Sequence, residues 1–148
     1  ELAARLAPLG GDALVEALDA VGSGEARATP QDPEQVTLCR KVPKEAGVMD
    51  FALGPEQLDR HVRAMSPWPG ASTTLPDGRR LVVLELEQAE GVGPAGQVLE
   101  GPGLKVGTGA GAVRLRRLKP AGKGAMEDEA FLRGTSLPAG TLLGETNP

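Results

Sequence analysis

Six cations crowd one stretch of this chain. Lys105, Arg114, Arg116, Arg117, Lys119 and Lys123 lie between Gly101 and Met126, a window without a single Asp or Glu. Guanidinium and ammonium groups at this density suit one task above others, holding phosphates or another polyanion through charge-assisted hydrogen bonds. The whole chain carries a net charge of −4, so the positive charge is local. Charge alone leaves two readings open, a polyanion-binding face and a solvated basic strand.

The other reactive residues form no catalytic set. His61 is the only histidine and lies beside the apolar face of a predicted helix, which reads as a boundary histidine and excludes a His-based metal cluster. Gly107-Thr-Gly-Ala-Gly111 looks like part of a phosphate loop. It lacks the Gly-Lys-Ser/Thr ending and would join two strands, so a hairpin turn is the better reading. Glu127-Asp128-Glu129 suits the first turn of a helix, where the macrodipole favours negative charge. Arg60 and Arg63 stand four residues after Glu56 and Asp59 and are partly neutralised within their own helix. Cys39 has no partner for a disulfide and reads as a small buried thiol. Nothing combines nucleophile, base and orienting group, so this chain alone is expected not to be an enzyme and not to bind a metal.

Aromatic content narrows the choice of polyanion. With no Tyr, one Trp and two Phe, the chain lacks the platforms on which single strands stack. Trp68, clamped between Pro67 and Pro69, is expected to be buried. Binding to RNA would then rest on phosphates and shape, with little sequence preference.

The elements that must position these groups are mainly β with flanking helices. Leu14, Leu18 and Val21 give helical spacing within residues 1–22, with a kink or break expected at Pro8 and Gly10-Gly11. The chain opens at Glu1 within that spacing, as though inside a helix, which suggests a fragment. Residues 23–33 read as a linker and 34–148 as a second domain. Within it, Val36 to Val42 offers a short strand or an irregular segment. Gly54-Pro55 starts a helix that buries Leu58, Val62 and Met65. The period then becomes two, with strands predicted at Ser72–Leu75, Arg79–Glu87, Gln97–Leu99, Leu104–Val106 and Ala112–Leu118. Five short strands with tight turns suggest a small antiparallel, OB-like barrel. In the last of them, a bulge at Arg116-Arg117 would keep both arginines outside and return Leu118 to the core. A short helix near Asp128–Leu132 and a frayed tail finish the chain. No apolar run approaches the ~20 residues of a membrane span and no signal peptide is visible, so a soluble, cytoplasmic protein is expected.

Five segments, in order, resemble the C-terminal part of the methionyl-tRNA formyltransferase family. Glu1-Leu-Ala-Ala-Arg-Leu-Ala to Leu14 is similar to the last helix of its catalytic domain, and Pro30-Gln-Asp32 to the linker exit. Lys41-Val, Lys44-Glu and Met49-Asp50-Phe51 are similar to its Lys-Ile, Lys-Glu, Ile-Asp-Trp pattern. Arg63-Ala-Met-Ser-Pro-Trp-Pro-Gly70 and Leu118-Lys-Pro-Ala-Gly-Lys-Gly-Ala-Met126 match two further signatures. Leu38 and Cys39 stand where Tyr-Ala is usual, Phe51 replaces Trp and Met65 replaces Phe, with apolar character kept for the core.

The resemblance implies an OB-like barrel that binds initiator methionyl-tRNA beside an N-terminal catalytic domain. That domain would hold the 10-formyltetrahydrofolate co-substrate and all catalytic residues, and helix 1–22 would belong to its packing. The implied tRNA contacts are Arg114, Arg116, Arg117, Lys119 and Lys123, with Lys105, Lys41 and Lys44 as weaker candidates. Asp50, Arg63, Pro67, Trp68 and Pro69 would be structural. A monomer that binds neither DNA nor membrane is expected. Two alternatives remain, the barrel of another 10-formyltetrahydrofolate enzyme (a dehydrogenase or sugar formyltransferase) and a stand-alone protein-interaction barrel.

Overall fold

Alternating apolar residues on two ten-residue strands organise the sheet, which a computed structural model describes along with the rest of residues 2–144. Glu1 and the end of the expected tail, 145–148, lie outside the described residues. The chain divides into two units, Glu1–Arg40 and Lys41–Pro148.

The first unit consists of helix α1 (Leu2–Ser23), an extended stretch and a one-turn 3-10 helix at Pro33–Gln35. The expected kink or break does not interrupt α1, which continues through Pro8 and Gly10-Gly11. A proline there removes one i→i−4 hydrogen bond, and the two glycines lower helix propensity without blocking the conformation. Leu2, Leu6, Leu9, Leu14, Leu18 and Val21 are all exposed. Residues 36–42 form no strand, and Leu38 and Cys39 are exposed. Neither the expected buried thiol nor the core leucine is seen in that segment, which is irregular chain.

In the second unit, α2 (Pro55–Ala64) begins with Pro at its first position, and the Gln57 side chain accepts from the Gly54 N–H at 3.1 Å. It buries Leu58 and Val62 against the sheet. Strands β1 (Ser72–Thr74), β2 (Arg80–Ala89), β3 (Lys105–Thr108), β4 (Gly111–Pro120) and β5 (Met126–Glu127) are all antiparallel, in the order β1-β2-β4-β3, with β5 also on β4. Gln97–Leu99, expected to be a strand, makes only isolated bridges, and β5 was not expected.

Among the described residues, strand ladders do not close the sheet into a ring. Single backbone bonds span the gap instead. Leu99 N donates to Lys105 O, Val98 N to Thr141 O, Leu143 N to Gly96 O and Gly144 N to Thr74 O, all at 2.7–2.9 Å. These bonds run from β3 round to β1 over residues 96–99 and 141–144, which form no named strand.

The bulge on β4 is present. Val83 pairs with Leu118, Glu85 with Arg117 and Leu86 with Leu115, leaving Arg116 on β4 and Leu84 on β2 without opposite residues. The extra residue lets Leu115 and Leu118, three apart, share the core face, and both are fully buried. Val113 of the same strand and Leu81, Val83 and Val106 from β2 and β3 join them, and α3 (Asp128–Gly134) adds Phe131. Each such side chain contributes about 1.5–3 kcal/mol on burial.

The Gly107–Gly111 run forms the β3–β4 hairpin turn. Gly109 N donates to Phe51 O at 2.9 Å, and a Cβ there would strike the Ala52 carbonyl. Only glycine lets the turn approach residues 51–53 so closely.

Candidate functional site

The cations of the basic window do not act as one cluster, because strand pairing and the turn into the helix at Asp128 bring carboxylates to three of them. Arg114 is the most constrained. Its Nε donates to Asp128 Oδ2 at 2.6 Å, and its Nη2 donates to Asp128 Oδ1 at 3.0 Å and Glu129 Oε1 at 2.9 Å. Asp128 is 1% exposed and also accepts from the Leu104 N–H at 2.9 Å. Burial alone pushes the Asp128 carboxyl up. The Arg114 guanidinium and the N–H groups of Leu104 and Glu129 outweigh that and hold its pKa below the usual carboxylate value. The Arg114 pKa is raised, chiefly by the hydrogen bond to Asp128. A Cβ on Gly103 would collide with both partners, and its φ is +75°. Arg114 thus ties β4 to α3 and to the start of β3, where an outward-facing cation was expected. The acidic run suits the helix start as read, but its middle member is the buried half of an ion pair.

Arg116 and Arg117 are outward, as the bulge requires, and meet carboxylates across the sheet. Arg116 lies 3.3 Å from Glu87 and 3.9 Å from Glu127, and Arg117 lies 3.4 Å from Glu85. Such half-exposed pairs are worth only ~0–1 kcal/mol each. Phosphate could displace the carboxylates at little cost.

Lys105, Lys119 and Lys123, and likewise Lys41 and Lys44, form no ion pair among the described residues. Lys119 lies opposite Val82 one residue before the end of β4, and Lys123 follows on the next turn. Lys105 lies opposite Arg114, roughly 15 Å along β4 from Lys119 at ~3.3 Å per residue.

A cation that sequence reasoning missed stands beside Lys119. Arg80 donates through Nε to Ser72 Oγ at 2.9 Å and through Nη2 to Pro69 O and Gly70 O, both at 3.2 Å. All three acceptors are neutral, so its charge is held in place and, among the described residues, left uncompensated. One signal was available. Asp77 takes Arg79 within the β1–β2 turn, at 2.7 Å from Nε, and so leaves the second arginine of the pair free.

Arg80 and Lys119 line an open groove of about 550 Å³ whose other walls include Pro67, Pro69, Val82 and Gly122, with no carboxylate in its lining. Trp68 is 60% exposed, which corrects the expectation that it is buried. Pro69 takes the inward position instead, against Gly47, where a Cβ would meet Gly70 O and Pro69 Cγ. The remaining structural candidates behave as local braces. Asp50 accepts from the Ala52 N–H at 2.9 Å, and Arg63 pairs with Asp59 at 2.9 Å on α2. His61 is half-buried, with Nε2 unbonded. Among the described residues, no three His, Cys, Asp or Glu converge as a metal site.

Residues 41–136 match the family described as formyl transferase, C-terminal domain. The chain is 44% identical over 145 residues to the methionyl-tRNA formyltransferase of Phenylobacterium zucineum, covering 94% of this chain and 46% of that protein. It is 41% identical over 139 residues to that of Myxococcus xanthus, covering 93% and 44%. It therefore spans about half the length of the curated relatives it matches. Among solved structures, HypX from Aquifex aeolicus in complex with tetrahydrofolic acid shares the fold. The TM-score is 0.59 at 24% identity, over 82% of this chain and 22% of that one. A multiply substituted HypX variant gives 0.60 at 23% identity, over 86% and 24%. The family model covers the sheet, α2 and α3 together, and on that match the chain belongs to the formyl transferase family, of which it carries the C-terminal domain.

Proposed function

We propose that this chain is the tRNA-contacting module of an enzyme that transfers a formyl group from 10-formyltetrahydrofolate to the methionine of initiator tRNA. The observation that carries this reading is identity of 38–44% to proteins named methionyl-tRNA formyltransferase. Catalysis and folate binding belong to the half of such an enzyme that this chain does not span, and the chain alone does not transfer formyl groups. Its part is to raise the effective concentration of the tRNA and to restrict its orientation. It works as a monomer in the cytoplasm, with no DNA or membrane partner.

Contacts are to the backbone, which position without reading sequence. Lys105, Lys119 and Lys123 supply free charge, and Arg116 and Arg117 exchange their carboxylates for phosphate. Lys41 and Lys44 contribute more weakly, while Arg114 acts through the fold. The test is binding of the chain to initiator tRNA and to an unrelated tRNA across a salt titration. Similar weak affinities that fall steeply with salt are expected. Lys119→Gln with Lys123→Gln should flatten the slope of log K against log salt by about 1.5, at ~0.7–0.9 per phosphate contact. Absence of binding at low salt would refute the reading.

A further inference from the structure

The Arg80–Lys119 groove differs from the arginines of β4 in two ways. Its cations have no carboxylate partner among the described residues, so a bound phosphate displaces nothing. Arg80 is also held by three neutral acceptors, which fixes its guanidinium before any ligand arrives. A prepositioned guanidinium beside a lysine suits a phosphodiester oxygen, because less side-chain freedom is lost on binding.

Next to the groove, between two of its lining residues, stands a large aromatic that the fold leaves uncovered. Pro67 and Pro69, the neighbours of Trp68, both line the groove, and Trp68 itself is 60% exposed. The two prolines fix φ on either side of it, which limits the freedom of the backbone that carries the indole. An uncovered indole costs hydrophobic free energy that a stacked base would recover.

We propose that this groove seats one RNA phosphodiester on Arg80 and Lys119 and that an adjacent unpaired base stacks on Trp68. The proposal rests on the tRNA reading and deepens it. Contact with helical RNA uses charge alone, whereas this subsite requires a nucleotide free of base pairing. Bases in a duplex present no face to an indole, while unpaired bases do.

Trp68 is the only tryptophan, and tyrosine is absent, so its emission reports the subsite directly. The 148-residue chain would be titrated with a single-stranded oligoribonucleotide and with a blunt RNA duplex of equal length. Anisotropy of labelled RNA would be followed alongside tryptophan emission. The single strand should quench Trp68 and the duplex should not. Trp68→Ala should weaken single-strand binding by about 5- to 150-fold, the range for one lost base stack, and leave duplex binding unchanged. Lys119→Gln should weaken both. Both replaced residues are exposed and lie outside the core, so folding is retained. If both RNAs bind while emission stays constant and Trp68→Ala binds normally, the subsite is overturned and the tRNA reading stands. Equal quenching by the duplex would also overturn it. If neither RNA binds at low salt, both readings fall together.

Discussion

Replacing Asp128 with alanine isolates the part of the basic segment that the fold uses for itself. The change removes the bidentate partner of Arg114, at 2.6 and 3.0 Å, and the acceptor of the Leu104 N–H, at 2.9 Å. Stranding one member of a buried ion pair costs ~3–5 kcal/mol. Arg114 keeps its bond to Glu129 and 18% exposure, so the lower end, about 3 kcal/mol, applies. The orphaned amide adds about 1 kcal/mol. A total near 4 kcal/mol is a large share of the ~5–15 kcal/mol of a typical domain. It should lower Tm by about 15–30 °C. Asp128→Asn keeps an acceptor for Leu104 and loses the charge, so about 2 kcal/mol is expected. Urea denaturation followed by circular dichroism measures both. The dependence on pH gives an independent check. The Asp128 pKa is depressed in the folded state, so its contribution is complete above the ordinary value of ~3.9 and is lost as pH falls through the lower, folded one. The native chain should therefore lose stability below pH ~4 in a component that Asp128→Asn lacks. A cost below about 1 kcal/mol for Asp128→Ala, the value of an exposed pair, would refute the reasoning.

Two further outcomes follow from the same geometry. Arg116→Gln with Arg117→Gln should change stability by less than about 1 kcal/mol while weakening tRNA binding and flattening its salt dependence. A large loss of stability in urea would mean that these pairs hold the sheet together. Gly109→Ala forces the hairpin turn away from Ala52 and should cost about 1–3 kcal/mol. Gly124→Ala, with nothing within 4 Å of its new Cβ, should be near neutral, and equal effects of the two would undo the close-approach argument.

Local patterns in the sequence carried the fold well where they were dense. Apolar alternation around Val113 and Leu115 placed β4, and the doubled arginine within it required the bulge that Leu118 confirms by its burial. The Pro55 start and the Leu58–Val62 spacing placed α2. What stayed hidden depends on contacts between distant segments. Residues 141–144 bond at scattered positions to Gly96, Val98 and Thr74, so no period marks them, while Gln97–Leu99 carries the pattern of a strand and makes only isolated bridges. Trp68 is exposed because Pro69 takes the inward position against Gly47, a packing choice that no neighbour in sequence reveals.

Charge was the least legible property, for a physical reason. The acid-free window from Gly101 to Met126 is acid-free only along the chain. Antiparallel pairing sets Glu85 and Glu87 of β2 across from β4, and the turn into α3 returns Glu127, Asp128 and Glu129 to the same strand. The six cations therefore separate into a buried clamp at Arg114, exchangeable pairs at Arg116 and Arg117, and free lysines. Arg80 joins the free group although it lies outside the window, because its three acceptors carry no charge. At −4 overall, long-range attraction to a polyanion is weak, and within the ~8–10 Å Debye length of ordinary salt only nearby charges act. Binding must then depend on where carboxylates are absent more than on where cations are many. By that criterion the proposed Arg80–Lys119 groove, with two cations and no acid in its lining among the described residues, should hold phosphate more tightly than the arginine-rich middle of β4.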